Sequence, residues 1–183
     1  VVARWDKVSL QSNHPADLEA LRTVSKRYSK ELVALDPKQN EMARLGTTHL
    51  VPIMNDFDLL PNKNFQYGSH PGAYFIGSAA YEKLFDPGFD GCWKGCAVAC
   101  AHGVKDFVPY TGAYKGKKVF VDGPEYETIA GCGSNLDIFD PYTIIELNFY
   151  CDTYGLDTIS VGTAIAFVME CFERGLITTD HTD

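Results

Sequence analysis

The sequence predicts a mainly α-helical, multihelical domain with long Gly/Pro-rich loops and a short β-hairpin. Apolar residues recur at helical spacing in several stretches, and the two strongest are framed by capping residues. Glycines and prolines crowd the region between 60 and 116. Strand-like alternation is confined to a few short segments.

Taken in order, 13–36 reads as a helix. Asn13 or His14 caps it, Pro15 fits the first turn, and Leu18, Leu21, Tyr28, Leu32 and Leu35 repeat at helical spacing. Pro37 is expected to end it. A shorter helix covers 38–45 and stops at Gly46. Residues 47–60 are apolar but ambiguous, interrupted by Pro52; 60–77 reads as loop, 78–84 as helix and 86–116 as irregular chain. A strand at 118–121 is expected to pair with 107–109. Asp140 caps the next helix, Pro141 opens it and Gly155 follows its end. Asp157 or Ser160 caps the last, which carries Ile165, Val168, Met169 and Phe172 to Gly175.

Composition narrows the function. The 183 residues are 45% hydrophobic and 22% charged, the profile of a folded domain rather than a disordered one. With 16 Lys+Arg against 24 Asp+Glu the net charge is −8, which disfavours nucleic acid as a partner. No apolar run approaches the roughly 20 residues that span a bilayer. The chain opens Val1-Val2-Ala3-Arg4 without a Met or a secretory leader, and it is expected to be an internal piece of a longer chain, working in the cytoplasm.

Six cysteines are present, at 92, 96, 100, 132, 151 and 171. Three fall within nine residues as Cys92-x3-Cys96-x3-Cys100, with Gly91 and Gly95 between and beside them. Thiolates ligate iron–sulfur clusters, often three from one short segment, and glycines let backbone N–H groups approach the sulfides. A zinc site helped by His102, or unliganded thiols on a helix face, are the alternatives. Cys151 and Cys171 lie in apolar runs and read as buried hydrophobes; Cys132 is the loop candidate for a fourth ligand.

Asp152 falls in the last turn of its helix, where the helix dipole disfavours an anion. Either a neighbouring cation or a ligand rich in N–H donors is needed to compensate it. Asp157 has a sufficient role as a cap. Glu125 and Glu127 alternate after the turn Asp122-Gly123-Pro124 and are expected to share one face. A carboxylate beside a metal centre can move protons if burial raises its pKa; otherwise the pair is simply solvated.

Together these residues resemble the tungsten-dependent aldehyde ferredoxin oxidoreductase family. The likeness rests on Leu60-Pro61-x-x-Asn64-Phe65-Gln66, the cysteine cluster, Gly123-Pro124-Glu125-Tyr126-Glu127-Thr128, and Cys151-Asp152-Thr153-Tyr154-Gly155-Leu156-Asp157-Thr158-Ile159-Ser160. It implies that the whole chain, 1–183, is the middle helical domain of a three-domain enzyme, with the N- and C-terminal domains absent. It implies aldehyde oxidation to carboxylic acid at a tungsten (or molybdenum) bis-pterin, with electrons leaving through a 4Fe-4S cluster to ferredoxin or a similar acceptor. Cys92, Cys96 and Cys100 would ligate the cluster. Asp152, Gly155, Leu156 and Asp157 match the pterin-binding turn, and Glu127 matches the glutamate near tungsten. A homodimer or a larger complex is the assembly implied. The first cysteine gap is one residue longer than the family's usual spacing. Phe149 stands where some members place the His of a Glu-x-x-His iron site, so no such iron is expected. The rival readings are a related tungsten reductase acting on a thioester or aromatic acid, a non-catalytic iron–sulfur or zinc-structured domain, and a radical enzyme using S-adenosylmethionine.

Overall fold

The computed structural model describes residues 17–39, 41–84, 87–89, 96–100 and 102–181. Within them lie seven α-helices: α1 (Leu18–Gln39), α2 (Met42–Leu45), α3 (Leu50–Asp56), α4 (Ser78–Leu84), α5 (Tyr126–Cys132), α6 (Pro141–Tyr154) and α7 (Thr158–Glu173). Short 3-10 turns punctuate them at Thr47–His49, Pro71–Phe75 and Ser134–Leu136. Three strands, β1 (Pro87–Phe89), β2 (His102–Phe107) and β3 (Val119–Asp122), form an antiparallel sheet in the order β1-β2-β3.

The mainly helical expectation holds, with instructive differences at the edges. Asp17 caps α1, its carboxylate accepting from the Ala20 amide at 2.9 Å; the expected caps at 13 and 14 lie outside the described residues. Pro37 does not end α1, which runs on to Gln39. In the last turn a proline removes only one ladder bond, and that cost is tolerable. The end of α1 in turn caps α2: the Asp36 carboxylate accepts from Met42 N at 2.8 Å and Ala43 N at 3.0 Å. The ambiguous stretch from 47 resolves into helix because Pro52 falls within the first turn of α3, where its missing N–H costs nothing.

The strand ending at 122 pairs one turn earlier than expected. Gly103 opposes Asp122, Val104 opposes Val121 and Phe107 opposes Val119, with a bulge between. Pro109 lacks the N–H that a longer ladder needs. The loop that follows is drawn away by Glu146, whose buried carboxylate accepts from Tyr110 N at 2.7 Å, from Thr111 N at 2.8 Å and from the Thr111 hydroxyl.

Val51, Leu60, Ile76, Val104, Val121, Ile129, Ile144 and Ile145 form one core, contributed by α3, α5, α6 and the sheet. Burying each such side chain stabilises by about 1.5–3 kcal/mol. The Leu60-Pro61-x-x-Asn64-Phe65-Gln66 segment is a left-handed corner, with Lys63, Asn64 and Phe65 at φ 48, 53 and 61. It is pinned to the turn after α5 by Lys63 N to Ser134 O (3.1 Å), Asn64 N to Asn135 O (2.9 Å) and Phe65 N to Asn135 Oδ1 (3.0 Å). The apolar ridge of α1 predicted from periodicity is helical as expected, but Leu18, Leu21, Tyr28, Leu32 and Leu35 stay exposed.

α5 and α7 pack closely where they cross. A Cβ on Gly162 would stand 2.4 Å from the carbonyl carbon and oxygen of Gly131. Backbone meets backbone there, and the Thr128 and Thr158 hydroxyls hydrogen-bond across the same crossing at 3.0 Å. Gly162→Ala is expected to lower the stability of the domain by at least about 1–3 kcal/mol, the usual cost of overpacking. Urea titration measures it, and an unchanged midpoint would show that the helices part freely.

Candidate functional site

The crossing of α5 and α7 brings the beginnings of both helices together. The turn Tyr154–Asp157 feeds α7, and the turn Asp122–Gly123–Pro124 feeds α5. Each carries one group of candidate residues.

The first group is the α6–α7 turn. α6 begins as predicted: Asp140 accepts from Thr143 N at 3.0 Å and Pro141 is the first helical residue. It ends in a left-handed Gly155 (φ +69), with Leu156 N returning to Cys151 O at 2.8 Å. That closing bond needs a residue at positive φ, which glycine adopts without strain. A Cβ at Gly155 would meet nothing within 4 Å, so the turn faces open space. Asp157 then caps α7, accepting from Ser160 N at 2.8 Å and Ser160 Oγ at 2.6 Å. The Ser160 hydroxyl and amide hold its carboxyl below the usual carboxylate range. Leu156 is half exposed.

Asp152 is less comfortable. It sits among the outward carbonyls of the last α6 turn. Partial desolvation, and then the charge of Asp122, push its carboxyl above the ordinary range. Its hydrogen bond among the described residues comes from Asn148 Nδ2 at 3.1 Å, a neutral donor rather than a cation.

The second group begins at Glu125. Strand alternation is not its geometry: Glu125 is the residue before α5, and Glu127 lies in the first turn. The two therefore do not share a face in the way the sequence suggested. Glu127 is exposed, whereas Glu125 is half buried. The Thr47 hydroxyl donates to Glu125 Oε2, and Tyr126 N donates to Thr47 Oγ1 at 2.8 Å. Burial pushes the Glu125 carboxyl upward, against the pull of Thr47, and the charge of Glu127 adds to the rise. Spacing alone gave Glu125 no advantage over Glu127; only the partner 78 residues away in sequence distinguishes it.

The third group is the cysteine loop. Cys92 lies outside the described residues. Cys96 is exposed, and the Ala99 and Val98 amides hold its thiol below the usual value, favouring the thiolate. Cys100 is partly buried. His102 is already engaged, with Nδ1 2.9 Å from Cys100 O and Nε2 3.1 Å from Arg44 O. A neutral ring donates to only one of these carbonyls, and its other nitrogen is then held facing an acceptor rather than a metal. Among the described residues, no group of three or more His, Cys, Asp and Glu stands ready to hold a metal.

Cys132 does not suit the role of fourth ligand. It ends α5 rather than sitting in a loop, it is buried, and desolvation raises its thiol to about 12. Its sulfur donates to Thr158 O at 3.6 Å and it neighbours Cys151, which is also buried. Cys171 is only partly buried. Beside the Glu125 turn lies a cavity of about 250 Å³ lined by Arg44, Ser78, Tyr81, Glu82, His102 and Pro124. An Arg44–Glu82 ion pair of 2.6 Å joins two of these residues. No described helix is long and apolar enough by itself to cross a membrane.

Comparison with known proteins adds a different kind of observation. Residues 23–183 match the family described as aldehyde ferredoxin oxidoreductase, domains 2 and 3. The tungsten-containing aldehyde ferredoxin oxidoreductase of Pyrococcus horikoshii is 35% identical over 160 residues, 87% of this chain and 24% of that protein. Its namesake in Pyrococcus furiosus is 38% identical over 136 residues, 74% of this chain and 21% of that protein. An aliphatic sulfonate oxidoreductase, WOR-like subunit, of the same organism is 38% identical over 86 residues, 47% of this chain and 13% of that protein. The chain thus spans about a quarter of the length of the first of these relatives.

The strained position of Asp152 has a measurable consequence. A carboxyl whose folded pKa is raised binds its proton more tightly in the folded state, so stability falls as pH rises from the unfolded value through the folded one. Asp152→Asn removes that penalty. It is expected to raise the cofactor-free protein's stability at neutral pH by up to about 1 kcal/mol. The gain should vanish below the ordinary carboxylate range. Thermal melts across pH test this, and a loss of stability at neutral pH would show the carboxylate to be well compensated.

Proposed function

The chain belongs to the aldehyde ferredoxin oxidoreductase family, and from that premise we propose that it is the middle, helical domain of a tungsten enzyme that oxidises aldehydes to carboxylic acids. Aldehyde and water become acid, two protons and two electrons. A tungsten bis-pterin supplies the redox couple for that chemistry, and a four-iron cluster carries the electrons to ferredoxin or a similar acceptor.

The observation that carries the reading is Asp152. Its carboxylate is held at a helix end that disfavours charge, with its pKa raised and a neutral amide as its partner. A pterin's amine and ring N–H groups are the donors such a carboxylate lacks. Gly155 leaves room above the turn, and the Leu156 side chain offers an apolar edge. The donor set therefore fits a pterin, with Asp152 accepting from it, Gly155 and Leu156 bordering it, and Asp157 fixing the turn from which they project.

Among the thiols, Cys96 supports the cluster reading. Backbone amides already stabilise the Cys96 thiolate, and amide-to-sulfur bonds are what tune such centres. Cys92, Cys96 and Cys100 are the proposed ligands. Glu127, exposed in the first turn of α5, is the carboxylate proposed to take or give the proton at the reacting aldehyde. Glu125, enclosed by Thr47, keeps the start of that helix in place.

Two measurements on the enzyme produced at its full natural length test this. Asp152→Asn is expected to lose tungsten and pterin during purification while remaining folded; unchanged tungsten content would remove Asp152 from the site. Glu127→Gln is expected to lower turnover by about 10²–10⁴-fold with the cluster's visible spectrum intact. Full turnover would take Glu127 out of the reaction.

A further inference from the structure

Asn148 bridges two of the segments that carry the candidate residues. It is buried on α6, one turn before Asp152. Its Nδ2 donates to Asp122 O at 2.5 Å and to Asp152 Oδ2 at 3.1 Å. Both acceptors are pure acceptors, so the amide orientation is fixed by chemistry: only the NH₂ face satisfies a carbonyl and a carboxylate together. Gly123 closes over it. A Cβ there would stand 3.2 Å from Asn148 Oδ1 and 3.3 Å from Nδ2, and Gly123 is at φ +106, where glycine is favoured.

This places one amide at the junction of both candidate groups. On one side it grips the backbone of the turn that leads into Glu125 and Glu127. On the other it holds the Asp152 carboxylate in one rotamer. We propose that Asn148 is a positioning residue for the cofactor site: its two amide protons aim the Asp152 carboxylate and lock it in register with the Asp122–Pro124 turn. The inference rests on the reading of Asp152 as the pterin anchor and goes beyond it by naming the residue that holds that anchor in place.

The chemistry narrows what else fits position 148. Leu has the right volume and no protons to donate. Asp has the right shape, yet when ionised it sets a second carboxylate beside Asp152 and faces the Asp122 carbonyl with an acceptor. When protonated, the same Asp regains one O–H donor. The charged and titratable groups around this point are Asp122 at the end of β3, Asp152 on α6, Glu125 and Glu127 at the start of α5, and His102 at the start of β2, which acts on Glu125. All but His102 are acids, and the ring nitrogens of His102 lie against the Cys100 and Arg44 carbonyls, so a donor at 148 has no substitute among them.

The test uses the cofactor-loaded enzyme at its full natural length, with tungsten per polypeptide after a chelator challenge as readout. Asn148→Leu is expected to cut tungsten retention by about 10–100-fold, the usual cost of losing a partner that orients a ligand-holding residue. Asn148→Asp is expected to be as poor at neutral and alkaline pH. Relative to wild type at the same pH, it should recover at acid pH, as its own proton returns. Thermal melts of Asn148→Asp at the same pH values separate the two roles: a positioning role predicts the tungsten loss with a melt close to wild type at neutral pH, and a loss that only tracks a lowered melt overturns the proposal. If Asn148→Leu does not fold, Asn148→Asp decides. Wild-type retention in either variant at neutral pH, or a pH-independent loss in Asn148→Asp, overturns the proposal. If Asp152→Asn itself retains tungsten, the failure is that of the pterin reading instead.

Discussion

Two glycines with nothing between them set the geometry of this domain. Gly131 and Gly162 let α5 and α7 touch backbone to backbone, and the Thr128–Thr158 hydroxyl pair seals the contact at its N-terminal side. Because α7 starts from the Asp157 cap and α5 from the Glu125 turn, the distance between the two candidate groups follows from that crossing. A methyl group at Gly162 would force the backbones apart, and the site would widen with them. Helix packing at ordinary distances of 8–10 Å leaves room for side chains; this pair gives up that room to bring two turns together.

Charge placement is the second theme. The site gathers Asp122, Glu125, Glu127 and Asp152, in a chain already at −8. For folding alone, such a cluster is a liability. Asp157 shows the contrast: its carboxylate serves the helix and its pKa falls, while that of Asp152, five residues earlier, rises. Of the two acids of one turn, one is spent on holding the backbone and the other is left with a single neutral donor among the described residues. Stability given up at one position and kept at its neighbour is a common pattern where a fold carries a functional site.

Local signals were legible and long-range ones were not. Asp140, Pro141, Gly155, Asp157 and the helix at 78–84 were readable because caps and breakers act within four residues. Asp152 stood out because a lone anion in a last turn is anomalous on sequence grounds alone. Pro37 misled because its penalty depends on how much helix follows it. Cys132 misled because burial, which decides its character, is a property of the packed core. The contacts that set Glu125 apart from Glu127, and those of Asn148, were not legible for the same reason: Thr47 and Asp122 reach them from 78 and 26 residues away. The family likeness supplied roles for Asp152, Glu127 and the cysteines that spacing by itself left open.

The contrast between the thiols has a practical side. Cys132 and Cys151 are enclosed and kept protonated, which makes them poor targets for peroxide or dioxygen. Cys96 is their opposite, outward-facing and biased toward the anion. Oxidation to sulfenic acid and beyond follows thiolate character and access. Air damage during handling is therefore directed to the exposed Cys96 loop, while the interior thiols stay chemically intact. A sample exposed to air can keep its shape and melting behaviour after this outer thiol has been oxidised.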